Sequence, residues 1–295
     1  MIQNSTIHSA LTELDIVNKH IDARQDTDFW IQCVRDTSGR WSRYYHLKAQ
    51  SKYSVSYFRG RQAAVDYDNP AEVAYIRSNL ETRRAFYQGL LLARHMDTDA
   101  FRHWLEQLRR TLEYQPIENW LHKKFSTPAH SLIVQAEIRP IAKTYQDPYA
   151  SGLQQGPNFS GFPPEALPAD KEQDGLIYHL YPTLDYSELY FSHALEVLKR
   201  LLGDAYTSER AYIYDVAYFF QLLVNLHYFA AINASLYMNM ANGMLDLGGI
   251  GGVEHGIVDF VALRLQPSTF QKYFYDEVKR GQYSTKAARI AKATF

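Results

Sequence analysis

Between residues 186 and 247 the chain carries three stretches whose apolar residues recur at helical spacing, and this run constrains the fold most. They cover 186–202, 208–227 and 235–247. The first is introduced by Asp185 and places Leu189, Phe191, Leu195, Val197, Leu198 and Leu201 on one face. The third runs into Gly248-Gly249-Ile250-Gly251-Gly252, a glycine-rich helix stop. A chain organised this way is mainly α. The expected architecture is a multi-helix, bundle-like domain with a small β-hairpin flap.

The flanking segments fit that class. A short helix is expected over 5–21, then an irregular stretch with a hairpin around Asp36-Thr37-Ser38-Gly39. Asn69-Pro70-Ala71-Glu72 combines a capping Asn, a first-turn Pro and an acid, which opens a helix reaching about residue 95. Asp97-Thr98 restarts the pattern, and Phe101, Trp104, Leu105, Leu108 and Leu112 continue it to about 114. The run 131–138 reads as a strand stopped by Pro140, with 175–181 as its partner. Between them, 145–174 holds five prolines, several glycines and little periodicity, so a long irregular loop is expected, placed to act as a lid. Helices over 256–265 and 267–280 follow, and then a basic, mobile tail from 281 to 295. The domain reading is therefore a helical and irregular region over 1–129 packed on a core at 130–280, plus the tail.

Charge and composition narrow the partners. Thirty-one Lys and Arg against 32 Asp and Glu leave a net charge of -1, so no global field draws nucleic acid or anionic lipid. The longest apolar stretches, such as 212–220 with Asp215 inside it, fall well short of the roughly 20 residues a membrane span needs. Met1-Ile2-Gln3-Asn4-Ser5 lacks the basic and apolar regions of a secretory signal. The single Cys33 rules out an internal disulfide framework and suits a reducing compartment. The expected location is cytoplasmic, or that of an effector delivered without a cleavable signal. Twenty-three tyrosines suit either half-buried helix faces or an aromatic pocket.

One segment carries chemistry. In Leu222-Leu223-Val224-Asn225-Leu226-His227-Tyr228-Phe229-Ala230-Ala231-Ile232-Asn233-Ala234-Ser235 an apolar helix ends at a histidine, and a small-residue loop leads into a new helix. The amides of a helix N-terminus favour an anion, and a histidine at its rim titrates near neutrality, as a general base must. Asn233, Ser235, Tyr237, Asn239 and Asn242 lie in or along the following helix and are candidate donor-binding residues. The asparagines can equally cap neighbouring backbone. Arg139, beside the first flap strand, is a candidate for gripping a carboxylate or phosphate. Glu254 and His255 form a polar cluster that, with Arg264, would close the pocket opposite His227. Residues 254–259 supply too few ligands for a metal, and none is expected there.

The helix ending in His227-Tyr228-Phe229, the spacing to Asn233 and the next helix resemble the core of the Fic/Doc superfamily, whose motif runs His-Pro-Phe, two residues, Gly-Asn-Gly-Arg. His227, Phe229 and Asn233 fall on matching positions, and the strands at 131–138 and 175–181 fall where that family carries its flap. The resemblance covers about 130–280. The family's acidic metal ligand falls on Ala231, its anion-hole glycines on Ile232 and Ala234, and its arginines on Ser235 and Met238. The resemblance thus implies a divergent, metal-independent transferase with no bound cofactor. A nucleotide or nucleotide-sugar donor and a hydroxyl acceptor on a protein or small molecule would meet at His227 as base. Two alternatives remain: a non-catalytic helical binding or effector protein, and a small-molecule biosynthetic enzyme built on an aromatic pocket.

Overall fold

A computed structural model describes residues 2–24, 70–112, 138–141, 156–173, 176–203, 206–229, 233–250, 252–253 and 258–293. The hairpin expected around Asp36 lies outside them. The described residues are mainly helical. Helices α1 (Asn4–Asp22), α2 (Pro70–Ala93) and α3 (Thr98–Thr111) precede a three-stranded antiparallel sheet of β1 (Ile138–Ile141), β2 (Ala169–Gln173) and β3 (Leu176–Leu180). Helices α4 (Ser187–Gly203), α5 (Glu209–Leu226), α6 (Asn233–Leu247), α7 (Val258–Ala262) and α8 (Pro267–Ala293) follow. No helix among the described residues is long and apolar enough to cross a membrane.

Local chemistry places the ends. Asp97 accepts the Ala100 amide at 2.8 Å and opens α3, and Ser208 accepts the Ala211 amide at 3.2 Å and opens α5. Helix α6 stops in a Schellman turn: the Ile250 amide donates to Leu245 and the Gly249 amide to Asp246, with Gly249 at φ 68°. That positive φ is available to glycine without steric cost.

Helix α5 forms the spine, packed by α4, α6, α7 and α8. It is buried along its second half from Val216 apart from Tyr218, and every α6 residue from Leu236 to Leu245 is buried. Helices α1 to α3 extend the same core through α2, which lies against α6. Along α1 and α2, Asp22 pairs with Arg77 at 2.7 Å and Asp15 with Arg84 at 2.5 Å, so the two helices run antiparallel. At their other end Arg94 donates to the Ile2 carbonyl at 3.0 Å and also to the Leu202 carbonyl closing α4.

Three expectations are corrected. Of the segment 145–174, residues 145–155 and 174 lie outside the described residues, and the described part is packed and ends in a strand. Within 156–173, Phe159 and Phe162 are buried against Tyr190 of α4, whose hydroxyl donates to the Ala166 carbonyl at 2.8 Å, and β2 then pairs with β3. The strand was hidden because Ala169-Asp170-Lys171-Glu172-Gln173 has little β propensity, and its backbone ladder with β3 imposes the extended form. Of the strand expected over 131–138, residues 131–137 lie outside the described residues; β1 itself runs through Pro140 to Ile141, which an edge position allows because proline there owes no ladder donor. Finally, α8 continues to Ala293, through the basic segment expected to be a mobile tail.

Candidate functional site

Helix α5 ends at His227, a C-cap in the left-handed region at φ 49°, ψ 48°, whose amide donates to Leu223 at 3.3 Å. Few side chains adopt that conformation, although histidine does so more readily than most. Outside the surrounding structure it would cost about 1–3 kcal/mol. Tyr181, the first residue after β3, stacks on the imidazole. The ring centroids are 4.1 Å apart and the planes 17° from parallel. Both residues are nearly buried, at 6% and 7% exposure.

The next residue faces the opposite wall. Tyr228 packs edge-on against Phe191 of α4 and Phe229, and its hydroxyl donates to the Glu106 carboxylate of α3 at 3.1 Å. Burial, reinforced by the Glu106 charge, pushes its pKa up to about 12, so the phenol stays protonated. Asn233 closes the loop. Its carboxamide oxygen accepts the Phe229 amide at 2.9 Å while its nitrogen donates to the Phe229 carbonyl, a two-point clasp on one residue. The junction is therefore held at three points: Tyr181 on His227, Glu106 on Tyr228, and Asn233 on Phe229.

The remaining sequence candidates divide by place. Ser235 is buried in the first turn of α6. Tyr237 is fully buried, and its hydroxyl finds no hydrogen-bond partner among the described residues; burial raises its pKa, with Tyr228 and Arg109 the charged or polar groups that it feels. Asn239 turns away from the junction into the α2 interface, accepting from Arg83 Nε at 2.6 Å and donating to Asn79. Asn242 repeats the clasp of Asn233, accepting the Val253 amide at 2.8 Å and donating to the Val253 carbonyl at 3.1 Å. Arg139 sits opposite His179 in the β1–β3 ladder. Glu254 and His255 lie outside the described residues. Arg264, expected beside them, forms a buried ion pair with Asp170 of β2, which ties the sheet to the end of α7. Among the described residues no three His, Cys, Asp or Glu side chains gather as a metal-binding group.

No protein-family model matches this sequence, and neither does any curated protein.

Sequence reasoning missed Tyr181, Arg83 and Glu106. Tyr181 followed by Pro182 at the end of a strand was a visible signal, because a proline there stops the ladder and leaves the preceding side chain free to fold back. Arg83 and Glu106 gave none, since each lies in a helix with many charges and meets its partner only in three dimensions.

Proposed function

We propose that this chain is a divergent Fic-like transferase in which His227 is the general base. An acceptor hydroxyl, on a protein or a small molecule, gives its proton to the imidazole as its oxygen attacks the activated group of a nucleotide-type donor, whose leaving group departs. The observation that carries this reading is the His227 junction itself: a histidine held at positive φ where a helix stops, with the ring of Tyr181 stacked on its own. Backbone strain at a polar residue recurs at sites of chemistry. The Asn233 clasp supports it further by fixing the loop that leads into the N-terminus of α6.

The test uses His227→Asn, since asparagine tolerates the left-handed region, alongside His227→Ala. Purified protein is incubated with labelled nucleoside triphosphates and nucleotide sugars in the presence of a cell lysate, and transferred label is read by mass spectrometry. Loss of general-base action should lower transfer by about a hundredfold or more. Transfer by His227→Asn at the wild-type rate defeats the assignment.

A second reading is favoured by a separate observation. The carboxamides of Asn233, Asn239 and Asn242, expected to bind a donor, all bond within the protein instead, which weighs for a non-catalytic binding or effector module. Stabilisation by a nucleotide that His227→Asn abolishes speaks for the transferase and against this module. The biosynthetic-enzyme reading gains no support from the described part of its lid, where Phe159, Phe162 and Ala166 are packed against Tyr190 of α4.

A further inference from the structure

We infer that α5 holds a buried water molecule between the side chains of Gln221 and Asn225, where the end of α7 docks on it. The inference stands apart from the transferase reading. Both residues are 0% exposed, and they lie one helical turn apart on the same face of α5. Their amide nitrogens are fully used. Gln221 donates to the Ala262 carbonyl at 3.0 Å and to the Leu265 carbonyl at 2.8 Å. Asn225 donates to the same Ala262 carbonyl at 3.0 Å and to the Gln221 carbonyl at 2.8 Å. The oxygens differ: no donor among the described residues reaches Oε1 of Gln221 or Oδ1 of Asn225.

Turning either amide over gives no relief, because its oxygen would then face two carbonyl oxygens. The four donated bonds therefore fix which way both amides point, and the shared Ala262 carbonyl sets them side by side. A buried acceptor left without a donor costs about 1–3 kcal/mol, so the pair defines the chemistry of its ligand. That ligand donates hydrogen bonds in two directions and is small enough for a packed helix interface. Water meets both conditions, and internal waters bond to buried polar groups that lack protein partners. A cation meets them less well. Both carboxamides are neutral, the Ala262 and Leu265 carbonyls already accept from them, and a hard cation of the calcium kind takes about six to eight oxygens. The water thus completes the amide pair that fastens the elbow between α7 and α8 to α5, two residues before the His227 cap.

A crystal structure of the full chain, at a resolution that shows ordered waters, tests the site directly. We expect a single peak about 2.5–3.0 Å from both Gln221 Oε1 and Asn225 Oδ1. A peak ringed by further oxygens at about 2.0–2.6 Å would be a metal ion and overturns the inference, as does either oxygen meeting a protein donor or no peak at all. In solution, oxygen-17 relaxation dispersion counts long-lived internal waters. Asn225→Leu should lower the wild-type count by one. Should that variant melt without cooperativity, Gln221→Met takes its place with the same expected loss. An unchanged count in a folded variant also overturns the inference.

Discussion

Asn239 and Arg83, 156 residues apart in sequence, share a 2.6 Å hydrogen bond inside the α2–α6 interface. The Arg83 guanidinium is almost completely buried, and its other end reaches Asp246 at 3.0 Å, beside the hydroxyl of Tyr87. Asp246 keeps about a third of its side chain in solvent, at 37%, so the two ends of the network are unequal.

Removing the charged end should cost more. Asn239→Ala strands the Arg83 Nε donor and should destabilise by about 1–3 kcal/mol, whereas Asp246→Ala takes the carboxylate from a buried guanidinium and should cost about 3–5 kcal/mol. Urea denaturation of the two variants checks the order. A larger loss in Asn239→Ala would show that the neutral amide, not the carboxylate, carries the network.

The two asparagine clasps should act alone. Asn233→Ala and Asn242→Ala each remove two hydrogen bonds to one backbone residue and should each cost about 1–3 kcal/mol. Nine residues of helix separate them, about 13 Å, so the double variant should lose the sum within about 0.5 kcal/mol. Asn233→Asp keeps the acceptor but sets a carboxylate oxygen against the buried Phe229 carbonyl, and should cost at least as much as Ala. Thermal melts of the four proteins test this, and strong non-additivity would mean that the clasps share a partner.

Gly89 has no room for a methyl group. A Cβ there would lie 2.1 Å from Nε1 of Trp104, itself stacked on Phe86 at 5.5 Å. Gly89→Ala should destabilise by about 1–3 kcal/mol despite alanine's better helix propensity. In a Trp104→Phe background the same substitution should cost much less. A stabilised Gly89→Ala would mean that Trp104 moves freely.

Alkaline pH should unfold the protein through its tyrosines. Tyr87, Tyr190, Tyr212 and Tyr237 are all raised, burial being the main cause in each, and Tyr228 is raised to about 12. The unfolded phenol ionises near pH 10, so the unfolded state releases protons first. The stability these groups contribute is complete below pH 10 and is lost as pH climbs through 12. Absorbance at 295 nm should therefore show part of the tyrosines ionising only together with loss of helical circular dichroism. Complete ionisation near pH 10 with the fold intact would refute the assignment.

Much of the helical frame could be read in advance, because its signals are local. Asp97 and Asn69-Pro70 mark helix starts, Gly249 marks a stop, and the apolar face of α4 repeats at helical spacing. The junction was legible for the same reason: His227 and Asn233 sit where a helix ends and the next begins. What the sequence concealed depends on distance along the chain. Asp170 is an ordinary polar residue until Arg264 is beside it, and Asn239 resembles a ligand-binding amide until Arg83 arrives from α2. The strand at 169–173 has no pattern of its own and takes its form from β3. Tyr181 was one of 23 tyrosines, and only the fold places its ring on the histidine.

The pairing of α1 with α2 carries an ambiguity that one contact resolves. Asp15 and Asp22 are seven residues apart, and so are Arg77 and Arg84, as are the buried Ile7 and Leu14. Sliding α1 by one heptad would set Asp15 against Arg77 and carry Ile7 to the present seat of Leu14, so charge and apolar contacts tolerate two alignments nearly alike. The grip of Arg94 on the Ile2 carbonyl has no such second partner a heptad away in α2, where the corresponding position is Tyr87. A single guanidinium at the far end thus acts as the index pin that selects one alignment of the N-terminal helix.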